Sequence, residues 1–84
     1  MKKEIVIKST VGLHASLAAK IVKAASNYAV DIFLHYKEET IDVKSILGLM
    51  SLAVPCGENV VLEANGENAE NAINDIAALL EKSK

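Results

Sequence analysis

Apolar and polar residues alternate over Glu4–Lys8 (EIVIK), with Ile5 and Ile7 on one face, which predicts a first strand. The period then lengthens. From Ala15 to Tyr28 the residues Leu17, Ile21, Ala24, Ala25 and Tyr28 share one helical face, and Ser16, Lys20, Lys23 and Asn27 fall largely off it. Ser9–Leu13 is the loop that leads into this helix. Asp31–Tyr36 (DIFLHY) reads as a second strand, inward at Ile32, Leu34 and Tyr36, and Thr40–Val43 as a short third. The pair between them, Lys37-Glu38, has neither Gly nor Asn and is a poor hairpin turn.

Ser45–Leu52 (SILGLMSL) breaks the pattern. Serine is a good N-cap, yet apolar residues then surround the helix axis on every side. A chain this small cannot bury them all, so some of Ile46, Leu47, Leu49, Met50 and Leu52 are expected to be exposed together. Val54-Pro55-Cys56-Gly57 is a turn. Asn59–Ala64 is a fourth strand, inward at Val60, Leu62 and Ala64. Asn68 is the expected N-cap of a last helix with a buried stripe of Ala69, Ala72, Ile73, Ile76 and Leu80. The tail Lys82-Ser83-Lys84 is expected to fray.

The order β-α-β-β-α-β-α, with one apolar face per strand and one apolar stripe per long helix, predicts an α+β fold. It is a single domain over residues 1–84, a four-stranded, mostly antiparallel sheet with helices stacked on one face. The other sheet face would carry Lys8, Phe33, His35 and Val61, a mixed and partly solvated surface.

With 84 residues, such a domain buries only about 60–65% of its unfolded surface. Little room is left for an internal pocket, so chemistry is expected on the surface and shared with a larger partner. Net charge is −2 with the signs mixed along the chain, and there is no arginine. Neither a basic footprint nor a set of stacking aromatics for nucleic acid is present. No apolar run approaches the ~20 residues that span a membrane. The run after the N-terminal lysines is also too short for a signal peptide, which makes the cytoplasm the expected compartment. The single cysteine, Cys56, has no partner for an internal disulfide, as suits a reducing compartment, and nothing beside it in sequence would activate it. No spacing suggests a metal or organic cofactor.

The chemistry-bearing candidate is His14. If the helix starts at Ala15, its first amides, around Ser16 and Leu17, lack intrahelical acceptors and point back toward the imidazole. The positive helix end disfavours a protonated ring by roughly 0.3–1 kcal/mol at an exposed site. A neutral ring nitrogen is a nucleophile, and the same amides form an anion site that would hold a phosphoryl group attached to it. Gly12 supplies backbone freedom just before the turn. On these grounds alone a lone loop histidine also reads as a surface residue or a cap. His35 falls on a strand and reads as structural.

Gly12-Leu13-His14-Ala15, the run Lys44-Ser45-Ile46-Leu47-Gly48-Leu49-Met50-Ser51-Leu52 and the element order together resemble the histidine-containing phosphocarrier protein (HPr) family of the bacterial sugar phosphotransferase system. The resemblance covers nearly the whole chain. It implies an open-faced β-sandwich of four antiparallel strands with three helices on one side. It also implies that His14 accepts a phosphoryl group from enzyme I, which takes it from phosphoenolpyruvate, and passes it to a sugar-specific IIA protein. The chain would then be a carrier with a transient phosphohistidine rather than an independent enzyme, with the phosphate steadied by the turn Ala15, Ser16 and Leu17.

The family continues the motif with Arg-Pro-Ala; this chain has Ser16-Leu17-Ala18. A hydrogen bond from a charged donor to a charged group contributes about 1.5–3 kcal/mol, against about 0.5–1.5 for an ordinary one. Losing roughly 1–2 kcal/mol changes occupancy or rate about five- to thirtyfold, which weakens transfer without abolishing it. Lys20, one turn on, is a candidate substitute cation. Leu17 either packs in the core or widens a partner-facing patch.

Ser45 aligns with a serine that a dedicated kinase phosphorylates in low-GC Gram-positive relatives. A phosphoserine at a helix N-cap sits on free amides, so the modification is compatible with capping. Leu17, Lys20, Leu47, Met50 and Leu52 are the expected partner-binding residues, for enzyme I, IIA proteins and a catabolite-control transcription regulator. The chain is expected to be a monomer whose apolar patch permits weak dimers. The alternative is a regulatory paralogue acting through phospho-Ser45 without efficient histidine transfer. Retention of His14 argues against a full switch to it, because the catabolite-repression paralogue lacks that histidine.

Overall fold

The computed structural model describes residues 1–8 and 12–82. The elements run β1 (Lys2–Val6), α1 (Ala15–Ala25), β2 (Ile32–Tyr36), β3 (Glu39–Asp42), α2 (Ile46–Leu52), β4 (Asn59–Ala64) and α3 (Ala69–Lys82). One four-stranded sheet has the order β1-β4-β2-β3, with every neighbouring pair antiparallel. The register pairs Ile5 with Val60, and Leu34 with both Leu62 and Ile41. Because side chains alternate along a strand, this places Ile5, Ile32, Leu34, Val60, Leu62 and Ala64 on one buried face. The helices cover that face with Leu17, Ala18, Ile21, Ala25, Leu49, Ala72, Ile73, Ile76, Ala77 and Leu80. The expected α+β open-faced sandwich is the observed one. The fourth strand and the buried stripe of α3 also lie where the pattern put them.

Several boundaries differ for identifiable reasons. β1 starts earlier and stops at Val6, although Ile7 is buried. There the chain leaves the ladder: Ile7 N donates to Glu58 O at 3.0 Å, and Lys8 N to Leu80 O, in α3, at 3.2 Å. α1 ends at Ala25 rather than Tyr28 because its last turn tightens. Asn27 N bonds Ala24 O and Tyr28 N bonds Ala25 O, the i→i+3 pattern that closes many helices. Val43 is buried but lies past β3, its amide donating to Ile32 O at 3.0 Å. The Lys37-Glu38 turn does close a hairpin, with Lys37 at φ 55.

Asn68 stands at the N-cap position expected of it, immediately before Ala69, with left-handed rather than extended backbone. It has φ 66, and its carbonyl accepts from Ala72 N at 3.0 Å. The expected loop Ser9–Leu13 and the expected fraying tail lie in part outside the described residues. Among the described residues no helix is long and apolar enough to cross a membrane.

Candidate functional site

His14 occupies the N-cap of α1, with extended backbone (φ −109, ψ 175) and a half-buried side chain. Its carbonyl accepts from Ala18 N at 2.8 Å, which starts the helix. Its ring makes no capping hydrogen bond, and no acid sits in the first turn. The amides of Ala15, Ser16 and Leu17 therefore have no intrahelical acceptor, and none is found for them among the described residues. Ala15 and Ser16 are exposed beside the ring. Among the described residues the imidazole has no hydrogen-bond partner, and it stands at the positive end of an eleven-residue helix.

The loop before it is fixed from outside. Leu13 is buried and its amide donates to Val54 O at 2.8 Å. Gly12 has φ +75, and a Cβ there would collide with Val54 O and lie 3.0 Å from Pro55 Cα. Only glycine allows this backbone-to-backbone approach.

Leu17 must be corrected. At 1% exposure it belongs to the core, so its side chain cannot contact a partner. The third helical position of α1 points toward the sheet together with Ala18 and Ile21, and only its amide faces the site. Lys20 is exposed one turn beyond Ser16.

Ser45 is the N-cap of α2. Its hydroxyl accepts from Gly48 N at 3.1 Å and its carbonyl from Leu49 N at 3.1 Å. Of the apolar residues that follow, Leu49 is buried and Leu52 is half-buried against the core. Leu47 is 77% exposed, Met50 46% and Ile46 40%. Ile46 thus joins Leu47 and Met50 in the exposed set, while Leu52 contributes an edge only. α2 packs against α1 and ends beside the His14 loop. Seven residues of helix, at about 1.5 Å each, separate its Ser45 end from that loop.

Other polar groups are engaged elsewhere. Lys44 Nζ donates to Tyr28 O at 2.8 Å, and the Tyr28 hydroxyl donates to Asp75 in α3. On the open sheet face His35 is paired with Glu63 and Thr40, which accounts for it structurally. Cys56 is a free, exposed thiol, and the described residues hold no cluster of metal-ligating side chains.

Residues 1–82 match the family described as PTS HPr component phosphorylation site. The HPr-like protein Crh of Bacillus subtilis (strain 168) is 35% identical over 82 residues, covering 98% of this chain and 96% of that protein. A solved structure of phosphocarrier protein HPr from Bacillus anthracis superposes with a TM-score of 0.92 at 33% identity, covering 96% of each chain. The crystal structure of Bacillus subtilis Crh superposes with a TM-score of 0.80 at 35% identity, covering 98% and 94%; that protein is described as a dimer formed by a swapping domain. The chain belongs to the HPr family of the phosphotransferase system. Membership makes it a phosphocarrier or a regulatory relative of one.

Proposed function

We propose that this protein carries a phosphoryl group on His14, received from phosphorylated enzyme I and delivered to a IIA protein. A neutral ring nitrogen attacks the phosphorus of the donor phosphohistidine. The new N–P bond forms as the donor's N–P bond breaks, and the donor imidazole leaves with the electron pair. Delivery to the IIA protein is the same exchange in the opposite sense. The observation that carries this reading is the His14 imidazole, without a hydrogen-bond partner among the described residues, at a helix entrance whose first amides have no intrahelical acceptor. Those amides face the charge that the phosphoryl oxygens bring. Ser16 adds only a neutral hydroxyl, so transfer is weaker than with a charged donor at that position. The exposed Ile46, Leu47 and Met50, with Lys20, form the docking face. Adaptable Leu and Met side chains suit more than one partner.

A second reading is favoured by the similarity to Crh and by the neutral Ser16: regulation through Ser45 by a serine kinase and a catabolite-control transcription regulator. Phosphorylation there would replace an existing cap and add charge beside the exposed apolar residues. One experiment separates the two. The protein is incubated with enzyme I and phosphoenolpyruvate and assayed for an acid-labile, base-stable adduct that His14→Ala abolishes. No adduct, with efficient modification of Ser45 by the kinase, selects the regulatory reading.

A further inference from the structure

We infer that the left-handed turn closing α2, Ala53–Val54, is a positioning latch for the His14 loop: the Val54 carbonyl holds the Leu13 amide and thereby fixes where the imidazole stands relative to the α1 amides. The functional consequence rests on His14 being the phosphoryl acceptor; the latch itself is defined without it.

His14 makes no side-chain bond that would orient it from its own helix. Its position is inherited from Leu13, whose amide is bound by Val54 O at 2.8 Å and whose side chain is buried. Val54 O faces Leu13 because Ala53 turns the chain at φ 49, ψ 46. That conformation is strained for a residue with a Cβ. Across the contact Gly12 has φ +75, and a Cβ there would run into Val54 O, Pro55 Cα and Cys56 N. Backbone meets backbone on both sides, so no rotamer change can absorb a displacement. The exposed residues Ile46, Leu47 and Met50 belong to the helix that ends in this turn. A partner gripping α2 therefore grips the element that sets the histidine. Ala53 and Val54 touch no reacting atom and act as positioning residues.

The test combines amide hydrogen exchange at Leu13 with steady-state phosphorylation by enzyme I and phosphoenolpyruvate, on the wild type and on Gly12→Ala, Ala53→Val and Ala53→Gly. The wild-type Leu13 amide is expected to be protected. Gly12→Ala and Ala53→Val break the latch from opposite sides. Each should release that amide and cut the maximal rate about ten- to a hundredfold, with KM for the carrier held within about twofold, because misplacement by an ångström costs rate rather than docking. Ala53→Gly keeps the protection and the rate. Should one disrupting variant fail to fold, the other decides. A wild-type Leu13 amide that exchanges like an exposed loop amide overturns the inference. So does a folded disrupting variant with an unchanged maximal rate, or a loss confined to KM. If the wild type accepts no phosphoryl group, the carrier reading fails on its own. Leu13 exchange then decides the latch: protection in the wild type that both disrupting variants lose supports it, and any other pattern rejects it.

Discussion

His35 Nε2 lies 2.7 Å from Glu63 Oε1, tying β2 to β4 on the open face of the sheet. The other ring nitrogen, Nδ1, lies 2.8 Å from Thr40 Oγ1 on β3. The threonine hydroxyl can donate to a neutral ring or accept from a protonated one, so the bridge survives either state of the histidine. The hydrogen bond from His35, aided by Lys2 and Asn65, holds the Glu63 carboxyl below its usual 4.5.

Acid should therefore loosen the sheet through Glu63. The folded state binds this proton less tightly than the unfolded chain does. Its stabilising contribution is complete above about pH 4.5 and is lost as pH falls through the lower folded value. Urea midpoints measured from pH 7 to pH 3 should fall over that window, and Glu63→Gln should flatten the fall. An identical profile in the variant would remove Glu63 from the account.

Tyr28 has the opposite sign. Its hydroxyl donates to Asp75, and this bond, with partial burial and the neighbouring negative charge, raises its pKa above 10.0. The contribution is complete below pH 10 and is lost as pH rises through the folded value. Tyr28→Phe should lower the urea midpoint at pH 7 and remove the alkaline decline that Tyr28 causes.

A charged donor beside His14 is the direct test of the weakened motif. Ser16→Arg should raise phosphohistidine occupancy or rate about five- to thirtyfold, equivalent to roughly 1–2 kcal/mol. It should lower stability by a few tenths of a kcal/mol, because a cation opposes the helix N-terminus. Leu17→Pro would not add to this gain. Leu17 fills the core, so truncating it should cost stability on the scale of other buried leucines, about 2–5 kcal/mol for Leu17→Ala, measured by urea unfolding.

Leu47→Asp separates docking from folding. Leu47 is 77% exposed, so stability should move by no more than about 0.5 kcal/mol. Binding to enzyme I, followed by calorimetry, should weaken by tenfold or more. Retained affinity would place the docking face elsewhere.

Ala53→Gly should stabilise the fold. An L-residue in the left-handed region costs about 1–2 kcal/mol, partly offset by glycine's greater freedom in the unfolded chain. A net gain of about 0.5–1 kcal/mol should appear as a rise of several degrees in Tm.

Periodicity carried much of this molecule. The β4 span and the α3 stripe follow from side-chain spacing alone, since each has a single way to bury its apolar residues, while the α2 cap at Ser45 follows from residue type. The place of His14 at the start of α1 was legible because a helix entrance is a local feature. What escaped is long-range. Nothing in Ala53-Val54 signals a left-handed turn, because glycine normally marks one. Leu17 could not be assigned to core or surface until the tilt of α1 against the sheet was known. The Tyr28–Asp75 bond joins residues 47 positions apart, a separation that no local pattern encodes.

The strand order has a consequence for how the protein is made. β1 borders only β4, and Ile5 waits for Val60. A growing chain must hold its first apolar strand unpaired until most of the domain has been synthesised. Val54, which seats the His14 loop, is also a late arrival. Ribosome-stalled chains ending before Val54 should therefore display the histidine without its seat and, with β1 still unpaired, behave as clients for chaperones rather than as folded domains.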